Sequence, residues 1–188
     1  MKVLETKRLL LRPFILEDVV GLHQEIYSDS EVVRYYSGKG VLTPEATLQH
    51  LTEHLASWRD EELGRHAVVL KENGTFLGQV HLNGYVNSFL RWSDEPSPAY
   101  NCVEVELAFA FGRRFWGQGY AFEACTVLIH YAFEELRLRR LLGAFHRLNI
   151  RSRNLHQYLG YRIEPNLYPD EKGNYVAILN NFLVANLV

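Results

Sequence analysis

Arg113-Arg114-Phe115-Trp116-Gly117-Gln118-Gly119-Tyr120-Ala121 separates an alternating apolar segment, Val103 to Phe111, from a long helical pattern, Gln118 to Leu136. The order reads as a strand, a short turn with two glycines, and a helix start. Such a turn directs several backbone N–H groups at one point, and the helix terminus adds partial positive charge. Glycine lets a ligand approach the backbone closely. Arg113 and Arg114 add mobile charge at the rim. The stretch therefore suits a phosphate or pyrophosphate. Two familiar phosphate motifs do not fit: Gly119 is followed by Tyr120 rather than Lys, and a third dinucleotide glycine is replaced by Phe122. For a lone Gly-x-Gly, a purely structural turn is the competing reading.

Outward from this stretch the chain alternates strands and helices. Leu9 to Phe14 reads as a first strand, edged by Pro13. Glu17 to Tyr27 suits a short helix, and a loop with Tyr35, Tyr36, Gly38 and Gly40 follows. Thr43-Pro44 is an N-cap with proline at the first helical position. That helix runs to about Glu62, with Leu48, Leu51, Leu55 and Trp58 on its apolar face, and Gly64 is placed to end it. His66 to Glu72 and Thr75 to Tyr85 read as strands joined by Asn73-Gly74, a hairpin signal. Val86 to Asn101 is a polar loop carrying Phe89, Trp92 and Tyr100. Beyond the strand Cys102 to Phe111 and the long helix come a strand, Leu141 to Phe145, and a helix, Arg151 to Leu159, closed by Gly160. Two strands, Tyr161 to Glu164 and Asn174 to Val184, finish the chain. This order predicts a mixed α/β fold, a central mixed sheet with helices on both faces, rather than a doubly wound dinucleotide fold.

Composition sets the outer bounds. A chain of 188 residues is expected to form one domain, 1–188. With 47% hydrophobic and 22% charged residues it can bury a core without disulfide or metal. A net charge of −2 supplies no general attraction to nucleic acid or membrane. No apolar stretch reads as a signal peptide or a span. The two cysteines, Cys102 and Cys125, lie in apolar surroundings and read as buried thiols, which suits a cytoplasmic location.

The segment Glu106-Leu107-Ala108-Phe109-Ala110-Phe111, continuing through Trp116-Gly117-Gln118-Gly119-Tyr120-Ala121-Phe122-Glu123-Ala124, resembles the acyl-CoA motif of the GNAT superfamily of N-acetyltransferases. It is most similar to the RimJ/RimL-type branch. Asn149-x-x-Ser152 with Gly160-Tyr161 resembles a second block of that branch, and Thr6-Lys7-Arg8-Leu9-x-Leu11-Arg12-Pro13 resembles its opening. The resemblance spans nearly the whole chain. It implies the GNAT fold with a splayed sheet, acetyl-CoA as co-substrate without a metal, and an amine as acceptor.

Several residue roles follow from the resemblance. The diphosphate is expected over the N–H groups of Arg114, Phe115, Trp116, Gly117, Gln118 and Gly119, with Tyr120 beside them in the cofactor site and Arg113 or Arg114 pairing its oxygens. The pantetheine amides can pair, like an added strand, with Phe109, Ala110 and Phe111, where a splay frees backbone groups. A backbone N–H near Phe109 suits the thioester oxygen. Glu106 is the first candidate for a base acting through water, against a plain strand carboxylate; Glu104 is second. Ser152 can protonate the leaving thiolate or cap a helix. His156, one turn on, stands where many relatives carry an acidic tyrosine; it can protonate sulfur or simply pack. Asn149 can hold a pantetheine amide or the acetyl group, or form a turn. Neither cysteine is placed as a nucleophile, so direct attack by the amine is expected.

The acceptor is less constrained. An α-amino group has a pKa near ~8 and lysine near ~10.4, so deprotonating lysine costs about 3 kcal/mol more. This favours a peptide α-amino group, as the branch implies. A small amine, or a non-catalytic acyl-CoA-binding module, remains an alternative. The branch's aspartate near the last hairpin is missing from Lys172-Gly173-Asn174-Tyr175-Val176-Ala177, where Asp170 or Glu171 can substitute. Tyr35, Tyr36 and the Phe89 to Tyr100 loop are expected to border the acceptor opening or a homodimer contact, with Asp94 and Glu95 as charges there. His50-x-x-Glu53-His54 matches a zinc-protease spacing, but the helix packs by other residues, and a solvated pair is the expected reading.

Overall fold

A computed structural model describes residues 1–36, 40–57, 62–86, 103–165 and 174–181. Gly38, Trp58, Phe89, Trp92, Asp94, Glu95, Tyr100, Cys102, Asp170, Glu171, Lys172 and Gly173 lie outside the described residues. The strands are β1 (Leu4–Glu5), β2 (Leu9–Pro13), β3 (Gly64–Leu70), β4 (Phe76–Val86), β5 (Val103–Phe111), β6 (Arg140–His146), β7 (Arg162–Pro165) and β8 (Asn174–Asn180). The α-helices are α1 (Val19–Leu22), α2 (Ser30–Val33), α3 (Pro44–Ser57), α4 (Tyr120–His130) and α5 (Ile150–Tyr158). The strands join one open sheet in the order β1-β2-β3-β4-β5-β6-β8-β7. The mixed α/β architecture expected from the element order is therefore present. Among the described residues no helix is long and apolar enough to cross a membrane.

The chain forms two compact units. One comprises Met1–His81 and Phe109–Leu128. In it Leu9 and Leu11 alternate along β2 and are fully buried, which fixes the β2–β3 register from Leu9 opposite Leu70 to Pro13 opposite His66. The helical run after β2 changes pitch, from a 3₁₀ turn at Leu16–Asp18 through α1 to a wider π-type turn at His23–Tyr27. Asp18 is buried because it is fully paired: it accepts from the Ile15 N–H at 2.9 Å and from both Arg12 Nη atoms at 2.7 Å. Phe14, Leu22, Ile26, Tyr27, Leu51 and Val69 belong to the core of this unit.

Four local readings are corrected here. α3 is described to Ser57 and Leu48 on it is exposed, while Leu51 carries the burial and Leu55 is only partly buried. Gly64 opens β3 rather than closing the helix, at φ +139°, a conformation other residues rarely adopt. The β3–β4 connection is longer than a two-residue turn: Leu70 N–H donates to the Thr75 carbonyl, and Gly74, at φ +72°, donates back to Leu70. The loop after Tyr27 also contains α2, whose cap is Asp29 accepting from the Glu31 N–H at 2.9 Å.

Gly78 lets β4 lie close to its neighbour. A Cβ there would press on the Ala110 carbonyl and sit 2.7 Å from Phe111 Cα, both main-chain atoms that cannot swing aside. Gly78→Ala is expected to destabilise the protein by about 2–3 kcal/mol in urea denaturation. A loss below about 0.5 kcal/mol would show that β4 and β5 separate easily there.

The second unit comprises Leu82–Ala108 and Ile129–Val188. β6 pairs antiparallel with β8 along its whole length, Arg140 opposite Asn180 to His146 opposite Asn174, and β7 covers the far side of β8. Leu142, Val176 and Ile178 form its apolar centre. β5 runs parallel to β6 and is registered with it at one position among the described residues, Glu106 opposite Leu142. After α4 the backbone widens into a π-type turn at Tyr131–Glu135 and reverses through Arg137, at φ +55°. Asn181 seals this end by donating from Nδ2 to the Phe133 and Leu138 carbonyls.

Candidate functional site

The stretch that joins β5 to α4 is braced from within, and its braces leave the glycines outermost. Arg113–Phe115 forms one 3₁₀ turn. Phe115 N–H donates to Gly112 and Trp116 N–H to Arg113, so these two amides, expected in the cradle, are already spent. The Trp116 indole donates to the Phe111 carbonyl at 2.8 Å, and the Gln118 side chain donates to the Arg114 carbonyl at 2.7 Å. Gly117 and Gly119 are both left-handed, at φ +73° and +80°. Gly117, Gln118 and Gly119 are exposed, and their amides donate to no backbone carbonyl among the described residues. Glu123 N–H closes on Gly119, which makes Tyr120 the first residue of the helix, two later than the periodicity indicates. The anion cradle of the sequence thus narrows to Gly117, Gln118, Gly119 and the orphan amides of the first turn of α4.

The two arginines are held by acids rather than standing loose. Arg114 forks onto Glu25, with Nε at 3.1 Å, and Arg113 Nε reaches Asp29 at 2.9 Å. Both guanidinium groups remain more than half exposed. With Gln24 they line an open depression of about 340 Å³. Sequence reading found the arginines and missed Glu25 and Asp29.

It also assigned no role to Arg8. From the N-terminal segment, Arg8 Nε donates to Glu123 Oε2 at 2.7 Å and its backbone N–H to Glu123 Oε1 at 3.0 Å. Its Nη1 donates to the Gln118 carbonyl at 3.2 Å, and its guanidinium lies 4.3 Å from the Tyr120 ring centre. Thr6 donates its hydroxyl to the same Glu123 carboxylate. Burial would raise the Glu123 carboxyl, but the bonds from Thr6 and Arg8 outweigh it and hold it below its usual range.

In the second unit, Asn149 caps α5: its side chain accepts from the Ser152 N–H at 3.2 Å. The capping role considered for Ser152 therefore belongs to Asn149, and Ser152 sits in the first turn with its side chain buried. His156 shares that face, with Nδ1 3.4 Å from Ser152 Oγ. The same Nδ1 is 2.8 Å from the Ser152 carbonyl, which can only accept, so Nδ1 carries the proton. In the neutral ring Nε2 is then a lone pair. The imidazole is 2% exposed, stacked on Phe145 and edge-on to Tyr161, and a Cβ on Gly143 would meet it 2.9 Å from Cδ2. Burial pushes it down to about 4, against the Ser152 carbonyl bond. These surroundings suit a packing group that orients Ser152 better than the proton donor the sequence considered.

On β5, Glu106 is half-buried, as are Ala108 and Phe109, while Ala110 and Phe111 are buried. Glu104, the second candidate base, is buried and forked by Arg140, with Nε at 2.8 Å, which makes it a structural ion pair. Cys125 is fully buried and burial pushes its thiol up, so it is no nucleophile at neutral pH.

The other flagged groups resolve locally. His50 and His54 are half-buried rather than solvated: His50 meets Tyr27 edge-on, and His54 meets Phe14. Arg65 Nη1 lies 3.2 Å from His50 Nε2. Tyr36 packs on the first core with its ring 6.2 Å from that of His81, and Tyr35 lies beneath Arg34.

Residues 8–162 match the profile of the acetyltransferase (GNAT) domain. The chain is 28% identical over 184 residues to p20, an uncharacterised N-acetyltransferase of Bacillus licheniformis, across 95% of this chain and 93% of that protein. Among solved structures, a putative ribosomal-protein-serine acetyltransferase from Vibrio cholerae superposes with a TM-score of 0.72 at 26% identity, covering 95% of this chain and 97% of that one. RimL, a ribosomal L7/L12 alpha-N-protein acetyltransferase in complex with coenzyme A, superposes with a TM-score of 0.71, covering 95% and 98%; at 14% identity this likeness is one of fold.

Proposed function

The chain belongs to the GNAT family of acetyltransferases, and we propose that it transfers the acetyl group of acetyl-CoA to the α-amino group of a protein or peptide. The observation that carries the co-substrate assignment is the exposed Gly117-Gln118-Gly119 turn at the start of α4, with left-handed glycines and amides that donate to no backbone carbonyl among the described residues. In this reading those amides hold the diphosphate, and Arg113 and Arg114 supply charge at its rim. Phe109, Ala110 and Phe111 offer backbone groups to pantetheine, and the Phe109 N–H polarises the thioester carbonyl. Glu106 accepts the amine proton through water. Ser152 returns a proton to the departing thiolate, held in place by Asn149 and His156.

The acceptor reading rests on proton energetics. Only the neutral amine has the lone pair that attacks carbon, and an α-amino group reaches that state about 3 kcal/mol more easily than lysine. A base acting through water suffices for the former. The likeness, at 26% identity, to a putative ribosomal-protein-serine acetyltransferase supports the same choice.

The test is thiol release from acetyl-CoA across a panel of free-amine peptides, N-blocked lysine peptides, polyamines, amino acids and aminoglycosides. Turnover is expected with the first class, reduced about 100-fold by Glu106→Gln. Turnover with small amines alone would move the acceptor to that class. Coenzyme A binding with no turnover on any amine would leave a binding module.

A further inference from the structure

We infer that Arg8 is a positioning residue of the coenzyme A turn, gripping the Gln118 carbonyl so that the Gly119 amide faces the ligand. The inference rests on the diphosphate site proposed above. A peptide unit points its N–H and its C=O in opposite directions. Fixing one carbonyl therefore fixes the amide that follows it, here that of Gly119. Arg8 Nη1 donates to that carbonyl at 3.2 Å. A turn with glycines at φ +73° and +80° can flip its peptide units readily, so an outside hold on the orientation matters.

Arg8 is itself fixed on three sides. Its Nε and backbone N–H both reach the Glu123 carboxylate, at 2.7 and 3.0 Å, and its guanidinium lies over Tyr120. Glu123 is fixed in turn by Thr6, whose hydroxyl also accepts from the Leu9 N–H at 2.9 Å. The N-terminal Thr6–Leu9 segment thus reaches across to the first turn of α4. Arg8 also places positive charge under the turn, with Nη2 3.5 Å from where a Gly119 Cβ would stand. Lysine supplies the charge but not the planar fork that serves Glu123 and Gln118 together.

A merely structural ion pair predicts something different. The Arg8 side chain is 40% exposed, and pairs that exposed contribute little to stability. Removing it is therefore expected to leave the melting temperature within about 4 °C of wild type. Loss of an ordered charge-assisted bond at the ligand's own cradle is expected to weaken coenzyme A about tenfold or more.

The experiment measures coenzyme A affinity by calorimetry, and the KM for acetyl-CoA against the KM for the acceptor, on Arg8→Ala, Arg8→Lys, Glu123→Gln and the double variant. Expected are a rise of about tenfold in the coenzyme A dissociation constant and in the acetyl-CoA KM for Arg8→Ala. The acceptor KM should stay unchanged. Partial rescue by lysine is expected, and a double variant no worse than Arg8→Ala. Lys71→Gln, which removes the nearby Lys71–Glu5 pair, should change neither constant. If Arg8→Ala is insoluble, Arg8→Lys and Glu123→Gln carry the same comparison. Affinity within twofold of wild type in every folded variant overturns the inference, as does an acceptor KM that moves with the acetyl-CoA KM. Absence of any coenzyme A heat with wild-type protein would instead remove the site itself.

Discussion

Gly117→Glu is expected to cost at least 100-fold in coenzyme A affinity while leaving the protein folded. The position is exposed, and a Cβ built there meets no atom within 4 Å, so the side chain has room. Its φ of +73° makes any L residue strained by about 1–2 kcal/mol, which a folded domain tolerates. A carboxylate there faces the negative diphosphate. At about 4 Å and an effective dielectric near 20, the repulsion is about 4 kcal/mol, nearly a thousandfold in affinity. Gly117→Ala separates the two effects, since it adds strain without charge and should weaken binding far less. Calorimetry with coenzyme A, beside a circular dichroism melt, reads both quantities. Affinity within threefold of wild type in folded Gly117→Glu would place the diphosphate elsewhere.

What could be read in the sequence was local. The Gly-x-Gly turn announces itself because the strand ahead has period two, the helix behind has period near 3.6, and the glycines lie between. The start and stop of α5 are similarly local, with Asn149 as cap and Gly160, at φ +88°, as terminator. What could not be read depends on residues distant in the chain. Arg8 and Glu123 are 115 positions apart, and Arg114 and Glu25 are 89 apart. No periodicity connects such pairs; only the sheet order brings them together. The wider turns at His23–Tyr27 and Tyr131–Glu135 have no residue signature either. The deep burial of His156 was hidden for a related reason. α5 is largely polar, so its pattern does not declare which face turns inward, and Gly143 is what clears the space for the ring. α2 is different, since Asp29-Ser30-Glu31 is a cap legible in the sequence itself.

Buried histidines make acid the condition under which this fold is expected to fail. Burial pushes His66 down to about 4 and His81 to about 3, with Arg65, His54 and His66 adding to the effect at His81. The Lys2 carbonyl only partly offsets the effect at His66. His156 is likewise pushed down to about 4. In the unfolded chain each titrates near 6.5. Between these values the unfolded chain binds protons that the folded one refuses, so stability falls as pH falls through that window. Above pH ~6.5 nothing is lost. Below it each histidine removes about 1.4 kcal/mol per pH unit. Taken together, the three approach ~4 kcal/mol per unit, against a total stability of about 5–15 kcal/mol. Protonation is also poorly received inside: His81 Nδ1 and His66 Nδ1 are buried with no hydrogen-bond partner among the described residues. An unfolding midpoint above pH 4 is therefore expected by far-ultraviolet circular dichroism, and His81→Phe should move it to lower pH. Retention of full ellipticity at pH 3.5 would mean that these rings find water or a counter-charge when protonated.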